Sequence, residues 1–98
     1  MLIKVHDAYR IVVAVCDKEL FGKQFREGKK KIDLDGKFFE GEEKTKEEII
    51  DILLNLRKED ATFNFVGEKA CKTALELNLI NKNGIIRIEN VPIALVLV

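Results

Sequence analysis

The sequence predicts an α+β fold: a two-layer sandwich in which two helices pack on one face of a mainly antiparallel sheet, with a small basic hairpin beside it. Three observations predict it. Runs rich in β-branched residues lie at both ends of the chain, two stretches with helical spacing of apolar residues lie between them, and Gly22, Gly28 and Gly36 punctuate a charged segment that alternates like a strand. Ninety-eight residues suffice for one α+β domain, 1–98, with one core.

Leu2 to Val5 and Tyr9 to Cys16 read as antiparallel strands joined by a turn at His6 to Ala8. In the second of these Ile11, Val13 and Val15 point one way and Val12, Ala14 and Cys16 the other, so both faces are apolar and the strand is interior. Lys23 to Arg26 and Lys31 to Asp35 read as a short, polar-faced hairpin. Phe38 and Phe39 then return the chain to the core.

Thr45-Lys-Glu-Glu48 is a capping box, in which the threonine hydroxyl and the glutamate carboxylate each satisfy the other's backbone amide. The helix it opens carries Ile49, Ile52, Leu53 and Leu56 at spacings of three and four, with Ile50 and Leu54 at the border of the stripe, and ends near Lys58. Ala61 to Val66 is a strand or extended linker. A second helix follows from about Gly67 to Asn78, with Ala70, Ala74 and Leu77 in one row and Cys71 and Leu75 in the next, and Asn78 or Asn81 as its left-handed stop. Asn83-Gly84 is a turn, Ile85 to Ile88 a strand, Asn90 to Pro92 a turn, and Ile93 to Val98 an interior strand apolar on both faces.

Two doubly apolar strands need cover on both faces of the sheet. Helices supply one; either the basic hairpin with Phe38 and Phe39, or a second subunit, supplies the other.

Lys+Arg and Asp+Glu each number 17, so no overall basic field draws the chain onto nucleic acid and any such binding has to be local. Charge is nevertheless divided unevenly. Residues 18–37 hold seven basic and four acidic side chains, net +3, whereas residues 38–60 hold eight acidic and four basic, net −4.

Several chemistries are struck out. There is no serine, and the single His6 has no neighbouring nucleophile, which removes a Ser-His-acid centre; His6 reads as a solvated strand-end residue. Cys16 and Cys71 stand 55 positions apart, not in a zinc framework, and read as inert buried thiols. Gly22 to Lys30 echoes a phosphate-binding loop, but five residues separate its glycines where that loop has four, and no Ser or Thr follows the lysine. The acidic cluster of Asp33, Asp35, Glu40, Glu42, Glu43, Glu47 and Glu48 reads as solvating charge favourable to a helix start. Asp17 and Glu68 are the carboxylates with two readings: a metal-assisted acid-base pair, or caps of a turn or helix. No catalytic residue, metal site or cofactor is assigned. The longest uncharged apolar runs, Ile11 to Cys16 and Val91 to Val98, fall short of the roughly 18 residues of a membrane span, and no secretory signal is read at the start, so the expected setting is cytoplasmic, away from membranes.

The series Cys16-Asp17, Leu20-Phe-Gly22-Lys-Gln-Phe25, Gly28, Phe38-Phe39-Glu-Gly41, Asn64-Phe-Val-Gly67-Glu68 and Val91-Pro92 resembles a small archaeal family numbered 424 among the domains of unknown function. The resemblance implies an α+β protein of an archaeal cytoplasm, without established activity and described as RNA-binding. Phe39 stands where tyrosine is common in that pattern and Ile93 where histidine is common, which removes two polar groups that acid-base chemistry would use. The matching positions Asp17, Gly22, Lys23, Gly28, Asn64, Gly67 and Glu68 are therefore of interest, with Asn64 and the glycines also readable as shapers of turns and a helix start.

The leading expectation is an RNA-binding accessory protein, with Lys23, Arg26, Lys29, Lys30 and Lys31 on phosphates and Phe21 or Phe25 stacking a base. Against it stands a solvated hairpin whose phenylalanines are core. The alternatives are a protein-interaction or homodimerisation module without catalysis, and a metal-assisted enzyme using Asp17 and Glu68.

Overall fold

In the computed structural model, which describes residues 1–96, the chain runs β1 (Leu2–Asp7), β2 (Ile11–Cys16), β3 (Gln24–Glu27), β4 (Lys30–Asp33), β5 (Glu42–Glu43), α1 (Lys46–Arg57), β6 (Thr62–Val66), α2 (Glu68–Glu76), β7 (Ile86–Ile88) and β8 (Val91–Val96). Six strands form one sheet in the order β5-β1-β2-β6-β8-β7, and β3 and β4 form a separate two-stranded sheet. All pairings in the larger sheet are antiparallel except β2 with β6. A parallel pair needs a long crossover, and the segment between β2 and β6 supplies it. That same segment clothes both faces of the sheet, with the β3–β4 hairpin on one and α1 on the other.

Alternation along the strands separates the two cores. Ile3, Val13, Val15, Phe63, Phe65 and Ala94 face the helices and meet Ile49 and Leu53 of α1 and Ala70, Cys71 and Ala74 of α2. On the opposite face Ala14, Cys16, Val66 and Val91 are covered by Leu34 and Phe39, with Leu20, Phe21, Phe25 and Ile32 packed around them. The chain therefore closes this part of the second face by itself.

Local signals hold closely. The Thr45 hydroxyl accepts from the Glu48 amide at 3.2 Å and the Glu48 carboxylate accepts from the Thr45 amide at 2.9 Å. Ile49 and Leu53 are buried and Ile52 and Leu56 pack beside them. α2 stops short of the expected Asn78, which takes the left-handed conformation at φ 58°. Arg57 at the end of α1 donates to the carbonyl of Leu77, tying the two helix ends together.

Several boundaries differ from the sequence reading, among them the start of β2, which lies at Ile11 instead of the expected Tyr9. β1 runs on through His6 to Asp7, so His6 is a strand residue: its Nε2 lies 2.9 Å from the Phe38 carbonyl and its ring stacks on Phe38. The hairpin strands shift because Gly28 and Lys29 form a two-residue loop, with Gly28 at φ 64°, which draws Glu27 into register with Lys30. The final turn is Glu89-Asn90, both at positive φ, which pairs Ile88 with Val91. Pro92 therefore lies inside β8, near the end of the β6 pairing, where its carbonyl accepts from the Gly67 amide at 2.9 Å. The stretch Ala61 to Val66 resolves as the central strand β6 (Thr62–Val66), since Phe63 and Phe65 serve one core and Val66 the other. β8 is interior as expected; residues 97 and 98 of that reading lie outside the described residues.

Candidate nucleic-acid interface

Phe25 and Ile32 are directly paired and turned onto the second core. Alternation then places Gln24, Arg26, Lys31 and Asp33 on the outward side of the hairpin. Arg26 and Lys31 stand directly opposite each other there, a like-charge pair that costs folding energy. Lys29 occupies the turn and Lys30 the adjoining strand end, while Lys23 lies at the base; all five cations are exposed.

The hairpin acids are partly committed elsewhere. The Glu27 carboxylate accepts from the Glu89 amide at 2.9 Å, fixing the hairpin tip to the β7–β8 turn, and Asp35 accepts from Gln24 at 2.8 Å. Asp33 pairs with Lys31 at 3.5 Å across an exposed surface. Among the described residues Lys23, Arg26, Lys29 and Lys30 enter no ion pair.

Phe21 and Phe25 do not stand free. Both are half-buried against the second core, so their packed sides are occupied and the reading of these phenylalanines as core is the one the geometry favours over base stacking.

Asp17 turns out to act at a distance. It is 3 % exposed, and its two carboxylate oxygens accept from the amides of Lys69 at 3.1 Å and Ala70 at 2.9 Å, in the first turn of α2. An N-cap residue ordinarily performs this task, but the N-cap here is Gly67, which has no side chain. Gly67 sits at φ 112°, and a Cβ on it would fall inside the Asp17 carboxylate. Aspartate and glycine are two halves of one device, 50 positions apart in the chain. The negative charge also meets the positive end of the helix.

Glu68 lies beside this corner but pairs with Arg87 at 2.7 Å. Asp17 and Glu68 both border a pocket of about 200 Å³ with Leu20, Val91 and Pro92. Asp17 nevertheless has both oxygens engaged by amides, and no group of three or more metal-ligating side chains occurs among the described residues. The helix-capping reading of Asp17 is the one realised. Gly22, at φ 89°, forms the turn into the hairpin and donates to the Leu34 carbonyl at 2.7 Å. Asn64 is in the middle of β6, on the face that carries the hairpin, and shapes no turn.

Burial raises the Cys16 thiol to about 11 and the Cys71 thiol to about 12, with the Asp17 charge adding to both. Neither thiol is poised as a nucleophile. The Glu19 carboxyl is held below its ordinary value, first by its own backbone amide and then by Lys69.

Sequence reasoning missed Arg87, the Glu27–Glu89 tie and the Asp17–Gly67 partnership. Each joins residues that carry no signal of mutual contact in local sequence.

Comparison with known proteins agrees with this architecture. A family model described as "Protein of unknown function (DUF424)" matches residues 6–98. A crystal structure of an uncharacterized conserved protein from Methanopyrus kandleri superposes with a TM-score of 0.84 at 19% identity, over 96% of this chain and 87% of that one. At that identity the likeness is one of fold. None of the curated proteins matches the chain. No helix among the described residues is long and apolar enough to cross a membrane.

Proposed function

The chain belongs to the DUF424 family of proteins of unknown function, and we propose that its role is non-catalytic RNA binding, with the β3–β4 hairpin gripping the phosphate backbone. One observation carries the proposal: Arg26 and Lys31 are held face to face on the outward side of the hairpin, next to Lys29 and Lys30 at its tip. Phosphates placed between such cations relieve their repulsion, and the anchoring of Glu27 to the Glu89 amide keeps that carboxylate from serving as the counter-ion. Lys23 extends the track at the base of the hairpin. A molecule of zero net charge gains no long-range pull toward RNA, so binding rests on these few contacts and is strongly sensitive to salt.

The hairpin and Phe39 cover Cys16, Val66 and Val91, so that part of the sheet face needs no second copy to bury it. A cytoplasmic setting belongs to the same proposal, and two buried free cysteines suit a reducing compartment.

Filter binding to bulk cellular RNA across a salt series tests this. The expected log–log slope is about −2 to −3, from three or four phosphates on a single strand. The triple substitution Lys29→Glu, Lys30→Glu, Lys31→Glu should abolish retention. Affinity indifferent both to salt and to the triple substitution would overturn the proposal.

A further inference from the structure

The hairpin covers only part of the second sheet face. The ladder positions beyond it are Lys4–Ala14–Asn64–Leu95 and His6–Val12–Thr62, read across β1, β2, β6 and β8. Phe39 and its neighbours bury Ala14, and Thr62 is buried too, but Leu95 is 55% exposed, Phe38 is 41% exposed, and His6, Val12 and Asn64 are intermediate. Phe38 lies parallel to the His6 ring with centroids 4.8 Å apart, and packs edge-on to the buried Phe39, so its orientation is fixed from below. Asn64 makes no side-chain hydrogen bond among the described residues, although it stands in a central strand with apolar Ala14 and Leu95 on either side. An amide carries both donors and an acceptor, the set that a nucleobase edge requires.

The charge of this surface selects its occupant. The chain has 17 Asp and Glu side chains, yet none stands at the described positions of either row, and the one formal charge there at pH 7 is the exposed Lys4. A second copy of the chain docking through this face would bring Lys4 of each copy against a surface whose described positions offer it no acidic partner. A polyanion meets no repelling carboxylate at the described positions of these rows.

Resting on the RNA-binding reading above, we infer that this open half of the sheet is a platform for unpaired bases of the same RNA, with Phe38 stacking one base and Asn64 hydrogen-bonding a base edge while the hairpin holds phosphates. The ligand is thus single-stranded RNA. Duplex RNA, whose bases are already stacked on one another, engages the hairpin alone.

Fluorescence anisotropy with a labelled oligouridine of about ten nucleotides, and with a blunt duplex RNA of matching length, decides the matter. The native protein should prefer the single strand by roughly tenfold, and Phe38→Ala should erase that preference while leaving duplex binding and the salt slope in place. Leu95→Glu, at an exposed position that does not endanger folding, should weaken the single strand selectively as well, and thermal melts establish that each variant is folded. Equal binding of both RNAs, unchanged in folded Phe38→Ala and Leu95→Glu, overturns the platform and leaves the hairpin reading intact. Binding of neither RNA by the native protein overturns both.

Discussion

Asp17 shows how much of this fold rests on a single side chain. Its carboxylate replaces the N-cap side chain that Gly67 lacks, and Gly67 is a glycine partly because the carboxylate fills the space a Cβ would need. Asp17→Ala strands two amides of α2 in a nearly dry corner and should cost about 2–4 kcal/mol in chemical denaturation. Gly67→Ala should destabilise as well, by steric conflict and by its left-handed φ. The two losses should be strongly non-additive, because removing the carboxylate makes room for the methyl group. Additive losses in a double-mutant cycle would contradict the shared device. The cysteines give a second prediction. Raised thiol values mean that the folded state holds its protons while the unfolded chain releases them near pH 9, so this contribution to stability is complete below pH 9 and lost as pH climbs toward 11 and 12. Native protein at pH 8 should leave a thiol reagent unconsumed, and denatured protein should react at both cysteines. At this scale the sequence offered the chemistry of Asp17 but not its partner, since a cap supplied from 52 residues away has no spacing rule.

Among the elements, those built from short-range contacts were legible. The capping box of α1 and the buried stripe behind it lie within a dozen residues, and the structure realises both. Thr45→Ala should destabilise the protein by about 1 kcal/mol. The Glu48 carboxyl is held below its ordinary value of 4.5, first by the Thr45 amide and then by its hydroxyl, so its support for the helix is present above that pH and fades as pH falls through the lowered value. Helix content followed by circular dichroism should show this acid loss in the native chain and less of it in Glu48→Gln. The hairpin was legible as an object and misplaced in register, because which residues pair depends on the conformation of the Gly28-Lys29 loop and on the side chains that must reach the sheet. Leu34 is the strongest of those anchors, with no exposed surface. Leu34→Ala should cost about 2–5 kcal/mol and increase binding of a hydrophobic dye as the second core loosens. A dye signal and stability equal to those of the native protein would mean that the hairpin is not a cover. Sheet order was beyond local reading: the parallel contact of β2 with β6 joins strands separated by the hairpin and α1, and nothing within either strand encodes its neighbour.

For the molecule as a whole, neutrality conceals an arrangement. The segment leaving β2 folds back over the sheet and carries its cations outward, while the acidic segment after it builds the start of α1 on the other side. Covering both faces with one crossover leaves the hairpin's outward side exposed, with Arg26 and Lys31 face to face and Asp33 paired to Lys31, and the proposed RNA contact rests on that exposure. The sequence made the charge division visible; it could not show that Phe21 and Phe25 would be drawn onto the core, because alternation in a short hairpin leaves open which side meets the sheet. The most direct test compares charge reversals of equal number at two places. Arg26→Glu with Lys31→Glu, set against Lys58→Glu with Lys82→Glu at exposed sites off the hairpin, changes net charge identically, and RNA affinity is measured for both at one low salt concentration. A large loss confined to the hairpin pair is the predicted result; equal effects from the two pairs, or none from the hairpin pair, would contradict it.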